Sequence, residues 1–269
     1  MKFPHATPRG LHFVAEAPVP GLALAERRVA DAEATIICVH GGLDRAGSFA
    51  RLARRSDTFN LVAYDRRGYQ GSRAKGPLGL DRHVEDLLTI AEHESRRGPV
   101  LVFGHSYGGV IALTSAARQP EMAQLVLAYE SPLPWILARE SSRPIPGDDA
   151  GYEAEIFFKR VVSKGAWERL GHAEQESRRL DGPALLSDLA TLREPAPFDL
   201  SQLRTPTAYL HGDGLLSPHY RALSTEIARV NPRITSHELT HAGHGAHLSS
   251  PDQLAARIRE LWSRACASA

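Results

Sequence analysis

Residues 99–109 read PVLVFGHSYGG. Four apolar residues, Val100 to Phe103, run without polar interruption, and two of them are β-branched. That is the pattern of a strand buried on both faces. The run enters Gly104-His105-Ser106-Tyr107-Gly108, a G-x-S-x-G sequence, and then Val110-Ile111-Ala112-Leu113, which has the composition of a buried helix. A serine on a tight strand-to-helix turn is a nucleophile elbow. Flanking glycines suit such a turn because it is strained and because strand and helix backbones pass close together there. The geometry lifts the Ser106 hydroxyl out of the sheet and turns the Tyr107 N–H, at the positive end of the helix, toward whatever Ser106 attacks.

On the N-terminal side, residues 11–18 and 22–29 read as two early strands joined by a turn at Val19-Pro20-Gly21. Thr35 to Val39 is a β-branched run ending in His40-Gly41-Gly42, a buried strand opening into a loop. Backbone N–H groups at Gly41 or Gly42, unobstructed by side chains, are candidate oxyanion donors. A helix is expected near residues 46–54, then a strand at Phe59 to Tyr64 running into Asp65-Arg66-Arg67-Gly68-Tyr69-Gln70-Gly71-Ser72. Asp65 and Arg66 are read as a buried ion pair holding that loop rather than as catalytic groups. Residues 80–97 carry apolar side chains at 80, 84, 87, 88 and 91, one buried helical face.

Beyond the elbow, a helix stops before Pro120, and residues 124–129 form another buried strand ending in Glu130-Ser131-Pro132. Strand–helix alternation with short loops predicts a mostly parallel sheet. The character then changes. Prolines at 134, 144, 146, 183, 195 and 197 interrupt the next stretch, and its apolar residues recur at helical spacing. We read residues 133–198 as a helical cap over the strand ends and residues 1–132 and 199–269 as the core. The core pattern resumes at residues 206–210, followed by His211-Gly212-Asp213, a helix over 218–230, a strand near 234–239 and a closing amphipathic helix from Pro251 to about Ala265.

The chain of 269 residues fits one large α/β domain, with ordinary hydrophobic (42%) and charged (23%) content. A formal charge of +1 gives no reason to expect a nucleic acid or an anionic membrane as partner. No apolar run approaches the ~20 residues of a membrane span. The first ten residues, MKFPHATPRG, lack the apolar core of a secretory signal, so a cytoplasmic protein is expected, as a monomer or homodimer. Cys38 and Cys266 stand far apart, outside any metal-ligand spacing, and are expected to be reduced.

A serine nucleophile needs a base. Three histidines, His241, His244 and His247, lie after the last expected strand, and His244, set between glycines, is best placed to swing toward Ser106. No carboxylate or cysteine accompanies the three in sequence, so no metal is expected. The carboxylate that would orient the histidine has two candidates at strand ends, Glu130 and Asp213.

Four segments together, His40-Gly41-Gly42, residues 65–72, residues 104–109 and Gly243-His244…Pro251, resemble the α/β-hydrolase fold superfamily over essentially the whole chain. The resemblance implies a mostly parallel central sheet flanked by helices, with a helical cap inserted after the sixth strand. It implies Ser106 as nucleophile, His244 as base, and the N–H groups of Gly42 and Tyr107 as the oxyanion hole. Most members carry the acid about three residues past the glycine ending the penultimate strand, a place that here holds Leu215. A minority place it after the preceding core strand, which favours Glu130 over the alternative Asp213.

Serine at the elbow, where haloalkane dehalogenases and epoxide hydrolases of this fold need a carboxylate, favours acyl transfer. The expectation is a serine hydrolase, without cofactor, cleaving a carboxylic ester or thioester of a small to medium apolar substrate. The rivals on the same triad are a C–C bond hydrolase, a lactonase or a cofactor-free perhydrolase, and outside catalysis a small-molecule sensor.

Overall fold

Five strands of the sheet are shielded almost entirely from water, and their residues divide by parity between two cores. In β3 (Ala34–Val39) and β5 (Val100–His105), Ile37, Val39, Val100 and Val102 face one core while Ile36, Cys38, Leu101 and Phe103 face the other. Successive side chains of a strand point to opposite faces, so a run that is apolar throughout must be covered twice. These features come from a computed structural model that describes residues 10–76, 78–137, 147 and 149–267. The first nine residues, read above for a targeting signal, and the prolines at 144 and 146 lie outside the described residues.

The strands β1 (His12–Phe13), β2 (Leu24–Arg27), β3, β4 (Phe59–Tyr64), β5, β6 (Leu125–Tyr129), β7 (Thr207–Gly212) and β8 (Thr235–Leu239) form one sheet. Their order is β1-β2-β4-β3-β5-β6-β7-β8, with β3 to β8 parallel and β1 and β2 antiparallel at one edge. The two early strands are shorter than their apolar runs predict. Proline at 18 and 20 supplies no N–H to a ladder, and β1 pairs on one side only, with β2.

The helix expected near 46–54 is a tight single turn (Ala46–Phe49) followed by the short α1 (Ala50–Ala53). Helices α2 (Leu80–Ser95) and α3 (Tyr107–Arg118) cover one face of the sheet. Between β6 and β7 come α4 (Ala150–Phe158), a single π turn at Lys159–Ser163, α5 (Lys164–Arg169), α6 (His172–Leu180) and α7 (Gly182–Thr191). Then follow α8 (Ser217–Val230), the short α9 (Ala246–Ser249) and α10 (Pro251–Ala267). Among the described residues no helix is long and apolar enough to cross a membrane. Both cysteines are free, Cys38 buried and Cys266 exposed.

The four inserted helices have a small core of their own, in which Ala154, Phe158, Trp167 and Leu185 meet Leu43 and Tyr69 of the sheet loops. Buried charge ties the two parts together. The guanidinium of Arg66, wholly shielded from water, grips Asp188 of α7 at 2.7 and 3.1 Å, and the Tyr69 hydroxyl donates to the same carboxylate at 2.6 Å. Asp181 accepts from the Gln70 side chain (2.7 Å) and from Arg73 (2.6 Å). The sequence pointed to an Asp65–Arg66 pair, and the fold separates those partners. Asp65 instead accepts the N–H groups of Ala46 (2.8 Å) and Gly71 (3.0 Å), holding two loops together from inside.

Candidate active site

Ser106 sits between β5 and α3 with φ 53° and ψ −125°, a left-handed conformation that a side chain adopts at a cost of about 1–3 kcal/mol. Its neighbours hold it there. Its N–H donates to the Tyr129 carbonyl (2.8 Å), and its own carbonyl accepts from Gly109 (2.9 Å). Of the two reasons for flanking glycines, close approach is the one that holds at Gly104 and Gly108. A Cβ at Gly104 would lie 2.5 Å from the Gly108 carbonyl oxygen, and one at Gly108 would lie 2.1 Å from that of Val39. Strand and helix are therefore pressed together, and the backbone strain falls on the serine itself.

Strain recurs along this edge. Leu43 follows β3, Glu130 follows β6 and His241 follows β8, each with positive φ. The carboxyl ends of parallel strands are where open α/β sheets collect ligands, and here the loops after four strands are bent sharply toward one place.

Glu130 is buried, and both its oxygens are engaged. Oε1 accepts the Gly212 N–H (3.0 Å), and Oε2 lies 2.6 Å from Nδ1 of His244. A carboxylate only accepts, so Nδ1 carries the proton, and the lone pair is left on Nε2. Asp213 is used otherwise. Its carboxylate accepts the backbone N–H groups of His241 (2.8 Å) and Ala242 (3.1 Å), which pull it below the usual aspartate range. It braces the start of the histidine loop, while Glu130 bonds to the ring.

Two further residues fasten that loop, neither marked by any motif in the sequence. The Tyr129 hydroxyl donates to the Gly243 carbonyl (2.7 Å), and Nε2 of His105 donates to the carbonyl of His244 itself (2.8 Å). That bond settles the His105 tautomer, leaving a lone pair on its buried Nδ1, which faces Asp44 at 3.8 Å. Asp44 in turn accepts from His247 Nε2 and from the Ser48 hydroxyl, each at 3.1 Å. Burial, with the charges of His247 and His244, holds His105 neutral far below the usual histidine range. Burial alone would raise Asp44, but the bond to His247 and the surrounding histidines outweigh it and lower it.

The fold thus supplies the carboxylate that the histidine loop lacked in sequence, and with it a different trio. Donor atoms of Asp44, His105 and His247 lie within 4.8 Å of one another, whereas His241 and His244 stand outside the group. Two of the three already satisfy each other, and no step below runs through a metal.

Ser106, Glu130 and His244 line one cavity of about 400 Å3, a volume suited to a small organic molecule. Among the described residues, Glu130 is the hydrogen-bond partner of the His244 ring. Gly42 forms part of the floor, and a Cβ at Gly41 would lie 2.8 Å from that of Ser106, so the loop after β3 lies directly against the serine. Tyr107 opens α3, where the first N–H groups have no acceptor within the helix. The walls are apolar, with Leu43, Phe157, Phe158, Val161 and Leu216, and the inserted helices add Arg160 and Arg178.

Known proteins place this architecture. Lipase LipV of Mycobacterium tuberculosis is 33% identical over 95 residues, a match spanning 35% of this chain and 36% of that protein. Pimeloyl-[acyl-carrier protein] methyl ester esterase of Stenotrophomonas maltophilia is 26% identical over 84% of this chain and 92% of its own length. The crystal structure of an alpha/beta hydrolase from Sphaerobacter thermophilus superposes with a TM-score of 0.69 over 93% of this chain and 100% of that one, at 21% identity. Residues 36–257 match the Alpha/beta hydrolase family as a whole, and with the eight-stranded sheet and the strained serine turn already described, the chain belongs to that family.

Proposed function

We propose that the protein is a serine hydrolase that cleaves a carboxylic ester or thioester through an acyl-enzyme on Ser106. The observation that carries this reading is the 2.6 Å contact between Glu130 and His244 Nδ1, on a cavity that also holds the strained Ser106. With Nδ1 protonated and held, Nε2 can take the Ser106 proton as the hydroxyl attacks the acyl carbon. The buried Glu130 stabilises the imidazolium that forms. The N–H groups of Gly42 and Tyr107 receive the charge that develops on the carbonyl oxygen. His244 then gives its proton to the leaving alkoxide or thiolate. The same ring activates a water, which attacks the acyl-enzyme, releases the acid and restores the serine.

Residues 133–198 act as a cap in this reading. Phe157, Phe158 and Val161 of this segment line the cavity and receive the apolar body of the substrate. That both relatives quoted above are named for ester cleavage supports the choice of reaction.

The test is turnover of p-nitrophenyl esters from acetate to decanoate, together with covalent labelling by a fluorophosphonate. Ser106→Ala is expected to abolish labelling and to lower kcat by roughly 10⁴-fold or more. Labelling or turnover that survives the substitution would remove Ser106 from the chemistry.

A further inference from the structure

Among the described residues the two buried arginines, Arg66 and Arg67, are both held by carboxylates. Arg66 donates to Asp188, to the His40 and Gly41 carbonyls and toward His83. Arg67 forks onto Asp86 at 2.6 and 2.7 Å. Arg178 of α6 is different. Its side chain is only 13% exposed, and its Nε donates to Glu174 at 3.1 Å. Neither terminal nitrogen has a hydrogen-bond partner among the described residues. Four of the five guanidinium donors are thus unspent, and the residue lines the cavity that holds Ser106 and His244.

The local charge does not compensate for this. Glu174, the carboxylate bonded to Arg178, is shared with Arg45 of the core. Asp44 is already engaged by His247 and Ser48. Burial, reinforced by the charge of Arg45, pushes the Arg178 guanidinium below its ordinary range, against the pull of Asp44 and Glu174. A second cation, Arg160 on the π turn, lines the same cavity, and π turns recur at functional sites. A half-buried cation with open donors on a cavity favours an anionic guest that can pair with it. The planar end of arginine fits a carboxylate with two parallel hydrogen bonds.

We infer that Arg178 is the specificity-determining residue of a carboxylate subsite, and that the substrate is an ester whose acyl chain ends in a free carboxylate, such as a half-ester of a small dicarboxylic acid. The apolar wall of Phe157, Phe158 and Val161 receives the methylene chain, Ser106 attacks the ester end, and Arg178 with Arg160 nearby holds the acid end. Glu174 acts as a positioning residue that fixes the plane of the Arg178 fork through Nε. This deepens the acyl-enzyme reading and rests on it.

The experiment compares monoethyl adipate with ethyl hexanoate, equal in chain length and differing in the terminal carboxylate. Turnover is measured in the wild type, Arg178→Met and Arg178→Lys. Calorimetric binding is measured in the Ser106→Ala background, alone and combined with each Arg178 substitution. A charge-assisted bidentate bond predicts that the half-ester is preferred by roughly 10- to 100-fold. The preference is expected to reside in KM and in the binding constant, to collapse toward unity in the methionine variant, and to survive in part with lysine. Equal use of both esters by the wild type, or a preference that Arg178→Met leaves intact, overturns the inference. If the methionine variant does not fold, the lysine variant decides, since it keeps the charge and loses the fork: an undiminished preference then overturns the inference. A carboxylate preference in binding without any ester turnover would sink the acyl-enzyme reading while keeping the Arg178 subsite. Turnover without that preference would do the reverse.

Discussion

Arg66 is a buried arginine rooted beside the sheet and Arg178 a half-buried one in the inserted helices, and they are treated in opposite ways. The sheet region engages the charged ends of Arg66 and Glu130 on every side. Arg66 is closed on by Asp188, Tyr69 and two backbone carbonyls, and both oxygens of Glu130 are occupied. The helices above leave donors open on the cavity they share with Ser106. A saturated network makes one geometry rigid, as a reacting serine and its partners require. An unsaturated one keeps its hydrogen bonds for a guest. The sheet region is thus built as machinery for a reaction and the inserted region as a surface for choosing what reacts.

The largest expected effect tests the saturated half. Glu130→Gln removes the carboxylate from His244 with almost no change of shape and should lower kcat by roughly 10³- to 10⁴-fold, by analogy with loss of the triad acid elsewhere. Asp213→Asn keeps a side-chain oxygen for the backbone of the histidine loop and should cost far less. Steady-state kinetics on one p-nitrophenyl ester decides it, and the reverse ranking would transfer the acid role to Asp213.

The seam between the halves comes next. Arg66→Met leaves Asp188 buried without its cation, beside only the Tyr69 hydroxyl and His83, a loss of about 3–5 kcal/mol, or on the order of 10 °C in Tm. Adding Asp188→Leu should recover much of it, because an apolar pair of similar volume avoids the desolvation of both charges. Calorimetric melting of the single and double variants reads this directly. A double variant no better than the single would mean that the pair does more than join the cap to the sheet.

The smallest effect is in pH dependence, and the two aspartates pull in opposite directions. Burial would raise Asp188, but the charge of Arg66 outweighs it, so folding lowers this carboxylate. Its contribution is present above the ordinary aspartate value near 3.8 and is lost as pH falls below it. Burial pushes Asp65 up to about 6 despite its two backbone donors, so the folded state holds that proton more tightly than the unfolded chain does. Its contribution is complete below pH 3.8 and disappears as pH rises through about 6. Melting profiles from pH 3 to 7 should show an acid limb that Asp188→Asn flattens, and a decline between about pH 4 and 6 that Asp65→Asn removes.

The parallel strands were legible because burial on both faces leaves an uninterrupted apolar run, as in Val100–Phe103 and Leu125–Ala128. The antiparallel edge was legible only as a pair of elements. β1 keeps two residues of an eight-residue expectation, since an edge strand beside prolines has few partners to extend it. At the site, the strand-to-helix turn at Ser106 and the loop carrying His244 could be located from local chemistry. Glu130 was within reach because it follows a strand directly, as Ser106 does.

What escaped were the partnerships across long stretches of chain. Asp44 meets His247 from 203 positions away, and Arg66 meets Asp188 from 122. Taken singly, Asp44 and Asp188 read as ordinary charges and His247 as a loop histidine, while Arg66 reads as the partner of its neighbour Asp65. Periodicity, glycine placement and the G-x-S-x-G turn act over neighbours, so the amino-acid order alone specified the sheet, the bent serine and the loops that face it. Which carboxylate bonds to the His244 ring, which histidine grips that loop, and which arginine is left open to the cavity depend on which charged groups the fold brings together. That selection is made over the whole folded chain at once, because the desolvation of a buried charge is offset only by a partner that packing brings within hydrogen-bond distance.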